Sequence, residues 1–266
     1  MSIVPTTFRR TQPSIGLAIN WLRDMSQQKG AQRNFTHSLI QQSFIATSYH
    51  LPQVESNEDI HSRDKEHLIN ALYDDPQTII ASASIIGELG PKGKFALYNL
   101  VHILDNSNPD VQIAGCKAIG KIGPPDAIDA IPALTRTLRV NNDKVKIAAC
   151  YAIGKFGPDA VDAVPDLSQT LITSKNNGVV IAAANALNKI GPEAKDAVSD
   201  LMLAFLINNP GVKIAVSNAL GEIGADARAA LPVLVKDLNH KNKTVAKFVR
   251  IAFNKINSPG EAAHLC

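Results

Sequence analysis

Seven histidines and three cysteines are the residues best equipped for chemistry in this 266-residue chain. Imidazole serves as a base or metal ligand near neutral pH, and a thiolate is a nucleophile or soft ligand. Their spacing argues against both roles. His37, His50, His61, His67, His102, His240 and His264 are scattered, and no H-E-x-x-H run puts two of them on one helical face. His61 and His67, in "HSRDKEH", are six apart and out of phase with a helical turn. Cys116 and Cys150 sit among Ala and Ile with no histidine nearby, which predicts buried, inert thiols. No G-x-x-x-x-G-K-[ST] phosphate cradle is written anywhere. The sequence therefore predicts no catalytic residue, no metal site and no cofactor, and what remains is the chemistry of recognition.

That chemistry lies in side chains recurring at one long interval. One series reads Glu88, Lys121, Lys155, Lys189, Glu222, Lys255 and is mostly cationic. A second reads Ser84, Lys117, Tyr151, Asn185, Asn218, Ile251, with hydrogen-bonding groups in its middle. A third is Ile80, Ile113, Ile147, Ile181, Ile214 and then Lys247. Five isoleucines in register have two readings. They are core, buried by a neighbouring element, or they form an apolar ribbon on a binding floor flanked by Asn and Lys. A lysine series alone is commonly a solvated face.

The positioning elements follow from the repeated phrase itself. "VQIAGCKAIGKIGP" (111–124), "VKIAACYAIGKFGP" (145–158), "VVIAAANALNKIGP" (179–192) and "VKIAVSNALGEIGA" (212–225) are one sentence written four times. Gly90, Gly123, Gly157, Gly191 and Gly224 fall 33 or 34 residues apart. Such a period means stacked units, because one unit cannot cover its own apolar face. Val145, Ala148, Ala149, Ala152, Ile153 and Phe156 share one side of a helix at ~100° per residue. The upstream segment "AIPALTRTLRV" shows the same rhythm in Ile131, Leu134 and Leu138. Pro132, Pro165 and Pro232 recur where a helix starts, and glycine closes the repeated phrase. Each unit is predicted to be a helix, a short loop and a second helix. The small column Ala118, Ala152, Ala186, Ala219, Ala252 lets neighbouring helices approach closely. Aromatics at 5% fit a core of small aliphatic residues. Neighbouring helices lie roughly 8–10 Å apart, too far for Cys116 and Cys150 to bridge, which favours a reducing compartment.

The phrase resembles the HEAT repeat, in particular the short bacterial type of phycobilisome lyase-like proteins, whose consensus runs V-R-x-A-A-x-A-L-G-x-I-G. The resemblance covers about residues 63–258, or six units. It implies an all-α, right-handed α-solenoid whose second helices line the concave side. Lys146 and Lys213 stand where the family usually has Arg, and Gln112, Val180 and Ala246 carry no cation there, so a charge ladder at that position is expected to be patchy. Deoxyhypusine hydroxylases share this repeat but hold iron with His-Glu pairs; the matching places here read Gly87–Glu88 and Gly221–Glu222.

Three segments are expected: residues 1–62, a helical extension and linker with helices near Ser14–Gln28 and Thr36–His50; residues 63–258, the repeat solenoid; and residues 259–266, a tail. The extension caps the first unit, lies in the groove, or carries a targeting signal around "IGLAINWL"; a helix is the preferred reading of that run. Thr244–Ser258 is degenerate and Lys-rich, as a terminal cap should be. The expected function is a non-catalytic scaffold or adaptor in a cytoplasmic setting, with no membrane span. It binds another protein's helix or extended segment, with acidic flanks, on the concave face. The residues expected to do so are Ile113, Ile147, Ile181, Ile214, Lys117, Tyr151, Asn185, Asn218, Lys121, Lys155 and Lys189. Two alternatives stand beside it. The family likeness suggests a bilin lyase subunit or tetrapyrrole-protein chaperone. Nucleic-acid binding is suggested by the basic stretch Ala225–Ser258, against which the mild net charge of +3 and the scarcity of groove aromatics weigh.

Overall fold

The computed structural model describes Ile19 and residues 60–257, and all regular structure among them is helical. The chain divides into two compact units, Met1–Ile85 and Ile86–Cys266. The expected N-terminal helices lie outside the described residues, except Ile19, which is helical and buried.

In the first unit, α1 (Ser62–Ala71) turns into α2 (Pro76–Glu88), whose last three residues count with the second unit. Asp75 starts α2 by accepting hydrogen bonds from the Gln77 amide at 3.0 Å and the Thr78 hydroxyl at 2.9 Å. Leu68, Leu72, Ile79 and Ala83 form the apolar seam between the two helices, and the buried Ser82 hydroxyl donates to the Leu68 carbonyl at 2.7 Å.

The second unit writes the same pair five times. Its first helices are α3 (Leu97–Ile103), α5 (Ile131–Thr137), α7 (Val164–Thr173), α9 (Val198–Phe205) and α11 (Leu231–Val235). Its second helices are α4 (Pro109–Ile122), α6 (Asp143–Gly154), α8 (Asn177–Ile190), α10 (Pro210–Ile223) and α12 (Lys243–Asn257). The second helices pack in chain order, α4 on α6, α6 on α8, α8 on α10 and α10 on α12, and each first helix lies against its own partner. This is the all-α stack of helix–turn–helix units that a 33- to 34-residue period demands.

Two local devices repeat. Asn108, Asn142, Asn176, Asn209 and Asn242 precede the second helices, and each side chain accepts from an amide of the first turn at 2.8–3.3 Å. Such caps satisfy donors that the helix cannot. Beyond four of the second helices and α2 stands a glycine at positive φ, from +55° at Gly90 to +81° at Gly191. Gly224, at +74°, has no heavy atom within 4 Å of a would-be Cβ, so backbone conformation alone demands glycine there. The sequence reading treated Gly-Pro simply as a stop. Instead the chain enters a 3₁₀ run, such as Gly157–Ala163 or Gly191–Ala197, which buries alanines before the next first helix.

Successive second helices meet through a glycine and an alanine. A Cβ placed on Gly120 would lie 3.0 Å from the Ala152 Cα; the matching pairs are Gly87 with Ala118 at 3.0 Å, Gly154 with Ala186 at 3.3 Å, and Gly221 with Ala252 at 3.1 Å. The fourth joint in chain order differs, because half-buried Asn188 occupies the glycine position there. At the last repeat, exposed Lys247 and Asn254 replace the isoleucine and glycine of earlier units. Arg250 replaces a buried small residue, and its guanidinium donates to the Leu238 carbonyl at 2.9 Å and the Asn239 side chain at 3.0 Å. The Lys-rich final helix therefore carries polar groups where an internal repeat carries contact residues.

Cys116 and Cys150 are buried free thiols in α4 and α6. Burial pushes Cys116 up to about 12, against a smaller lowering by Thr137, whose hydroxyl lies 4.0 Å from the sulfur. Burial also pushes Cys150 up to about 12, and the neighbouring Cys116 adds to the rise.

Two outcomes follow from these interiors. Gly120→Val must push apart two backbones already in contact and is expected to cost about 1–3 kcal/mol in urea unfolding, whereas Asn188→Val, at the joint without a glycine, is expected to cost less. The thiols fold as neutral groups, so their contribution is complete below the ordinary thiol value of 9.0 and is lost as pH rises toward about 12. Unfolding measured between pH 8 and 11 should show a steeper stability loss for the native chain than for C116A/C150A.

Candidate functional site

The three series named from the sequence all lie on second helices, and the structure separates them by exposure. Lys121, Lys155, Lys189 and Lys255 are exposed, yet their stems are held. Three run over the glycine of the preceding repeat: Lys121 Cδ lies 3.4 Å from the Cβ position of Gly87, Lys155 Cγ 3.7 Å from that of Gly120 and Lys255 Cδ 3.6 Å from that of Gly221; Lys189 starts from the same place, its Cβ 3.7 Å from that of Gly154. A missing side chain in one helix thus beds the aliphatic stem from the next, while the ammonium reaches water. Where Asn188 replaces the glycine, the following residue in the series is Glu222.

Ion pairs close both ends of this row. Lys121 pairs with Glu88, and Lys255 pairs with Glu222 at 2.9 Å. Among the described residues, Lys155 and Lys189 have no ion-pair partner. These exposed pairs contribute little to stability; their effect is to neutralise the flanks and leave the centre cationic.

The second series stands one turn away. Lys117 and Tyr151 are exposed, Tyr151 at 57%, while Asn185 and Asn218 are half-buried. Ile251 ends the series at 41% exposure. The isoleucines Ile80, Ile113, Ile147, Ile181 and Ile214 are all half-buried. Ile147 Cδ1 lies 3.5 Å from the Cβ position of Gly178, and Ile181 Cδ1 lies 3.0 Å from that of Gly211. Those side chains seat their tips on the start of the next second helix and keep part of their surface free. The two readings of the isoleucine column thus each describe part of the same side chain.

The family's usual arginine position behaves unevenly. Lys213 is largely buried, pairs with Asp237, and sits 4.5 Å from the centroid of Phe205, so its charge is locally satisfied. Lys146 has no ion-pair partner among the described residues. In the basic last repeat Arg228, Lys236, Lys241, Lys243 and Lys247 are exposed, whereas Lys255 and Arg250 are engaged as described above. Among the described residues no three His, Cys, Asp or Glu side chains converge in a way that could hold a metal ion. No helix among them is long and apolar enough to cross a membrane.

Sequence reasoning missed the asparagine caps and their link between repeats. The Asn176 amide donates to the Asp143 carboxylate at 2.7 Å, joining the loops of consecutive units. The signal was present as an asparagine three residues before each of Val111, Val145, Val179, Val212 and Val245.

Comparison with known proteins agrees with this architecture. The HEAT repeats family matches residues 131–206. No curated protein sequence matches the chain. An engineered protein of known structure is similar over 91% of this chain and 69% of its own, with 20% identity and a TM-score of 0.64. A computationally designed armadillo repeat protein for modular peptide recognition is similar over 71% of this chain and 98% of its own, with 21% identity and a TM-score of 0.56. Kap121p bound to Nup53p is similar over 91% of this chain and 28% of its own, with 15% identity and a TM-score of 0.63. The CpcE–CpcF phycocyanin lyase complex from Nostoc sp. PCC7120 aligns over 59% of this chain and 97% of its own, with 18% identity and a TM-score of 0.46. The chain has the fold of the HEAT and armadillo solenoids: helix pairs stacked in series around one repeated phrase.

Proposed function

We propose that the chain is a non-catalytic scaffold that holds a segment of another protein across the exposed face of its second helices. The observation that carries this reading is Tyr151, a large aromatic left 57% exposed in the middle of the face. On its own helix Ile147 and Lys155 stand one turn to either side, and Lys117 and Asn185 hold the same repeat position in the units before and after. Exposed aromatics ringed by polar groups are the usual anchors of protein contacts. Solenoids of this fold include proteins whose structures are described as recognising peptides or as bound to a protein partner, which supports the same reading.

Within this proposal, residues 63–258 are the binding array and the terminal segments are accessory. Free buried thiols fit a reducing, cytoplasmic setting. The short bacterial lyase-like type remains our assignment of the repeat from its phrase. A lyase or tetrapyrrole chaperone would need a bilin to bind, which absorbance on mixing detects. Nucleic-acid binding would show as affinity falling steeply with salt and centred on the exposed lysines of the last repeat.

The binding face is tested by photo-cross-linking. A benzoylphenylalanine at position 151, in cells that make the chain, is expected to capture a defined protein segment that the same residue at exposed Leu203, on first helix α9, does not capture. A synthetic peptide of that segment should bind the purified chain and lose at least tenfold in affinity with Tyr151→Ser, measured by calorimetry. Identical cross-links from both positions, or a peptide indifferent to Tyr151→Ser, would remove the face from consideration. Tyr151 is a cleaner probe than the isoleucines, whose tips also hold the next repeat.

A further inference from the structure

The row of lysines says what kind of segment the face selects. Along the row the charges run Glu88, Lys121, Lys155, Lys189, Glu222, Lys255. Among the described residues, carboxylates pair with Lys121 and Lys255 and none with the two lysines between. Helix α8 contains no acidic residue. The acid of α6 is Asp143 at its first position, where it accepts from Asn176. The centre of the face is therefore a cationic strip with neutralised ends.

The strip also has a fixed pitch. Lys155 Cγ and Lys189 Cβ lie against Gly120 and Gly154, so the two side chains leave successive second helices at the spacing of those helices. Helices packed this closely repeat at roughly 8–10 Å. A β-strand returns to the same face about every 6.6–6.8 Å and is out of step with that spacing. A polyproline II chain has three residues per turn at about 3.1 Å each, so every third residue returns to the same face after about 9.3 Å. Its backbone is solvated rather than internally bonded, leaving amides and carbonyls for the Asn185 side chain and the Tyr151 hydroxyl. Proline-rich chains of this kind commonly dock on exposed aromatic rings, and Tyr151 supplies one one turn before Lys155.

We propose that the partner segment is an acidic, extended polyproline II stretch carrying a carboxylate at every third residue. It runs along the stack so that successive carboxylates meet Lys155 and Lys189, between the ends that Glu88–Lys121 and Glu222–Lys255 neutralise. This rests on the binding-face reading above and adds the chemistry and register of the occupant.

The test uses fluorescein-labelled 12-residue peptides and fluorescence anisotropy at low salt with the full chain. The in-register peptide is four copies of Glu-Pro-Ala. Its controls are the same composition with glutamates in adjacent pairs, four copies of Lys-Pro-Ala, and a single-stranded dT oligonucleotide of 12 nucleotides. The in-register peptide should bind at least tenfold tighter than each control. K155E/K189E, at exposed positions and checked for an unchanged melting temperature, should weaken it at least tenfold. Equal binding of the paired-glutamate peptide overturns the register. Tighter binding of the oligonucleotide, insensitivity to K155E/K189E, or no binding of the in-register peptide overturns the acidic occupant. The binding-face reading is judged separately, by the position-151 cross-links, and survives those outcomes if the captured segment is neutral or basic.

Discussion

The stack depends on an approach of backbone to backbone. A glycine in one second helix faces an alanine in the next, with at most 3.3 Å between a would-be Cβ and the opposing Cα at four joints. Helix glycine costs roughly 1 kcal/mol of intrinsic propensity relative to alanine. The cost is offset by what the notch permits: dense packing of second helices with few bulky side chains between them. Everything else is arranged around that spacing. The asparagine caps begin each helix in register, the positive-φ glycines end it, and the 3₁₀ runs return the chain with buried alanines rather than with a long loop.

The same notch gives the outer face its order. A lysine on a free helix sweeps a wide cone and loses that freedom on binding. Here its stem already lies along the glycine of the preceding unit, so part of the ordering cost of recognition is met during folding. The joint at Asn188 follows the same logic in reverse: without a notch the next residue is the shorter Glu222, whose carboxylate turns to Lys255. Packing and electrostatics are thus two readings of one column of small residues.

Much of this was legible in the residues. The period, the helix pair, the proline starts, the glycine ends and the small alanine column follow from spacing alone, because stacked helices leave few ways to bury Val145, Ala149 and Phe156 together. The inertness of Cys116 and Cys150 followed from their apolar surroundings. What escaped were features that depend on the third dimension between units. Nothing in "VKIAACYAIGKFGP" says that Lys155 beds on Gly120, because those residues sit 35 positions apart in the chain. The Glu88–Lys121 and Glu222–Lys255 pairs depend on the same lateral registry, and so does the sharing of Ile147 and Ile181 between the surface and the following repeat. The asparagine caps were visible as a column but were overshadowed by the apolar rhythm beside them.

Gly224 isolates one constraint in its purest form. At the other positive-φ glycines a neighbouring atom lies within 4 Å of a would-be Cβ; at Gly224 the space is open and only the sign of φ forbids a substituent. The prohibition is therefore a matter of handedness. A mirror-image alanine introduced there by chemical synthesis would find a favoured torsion, and would remove some of the unfolded chain's freedom where every natural replacement adds strain.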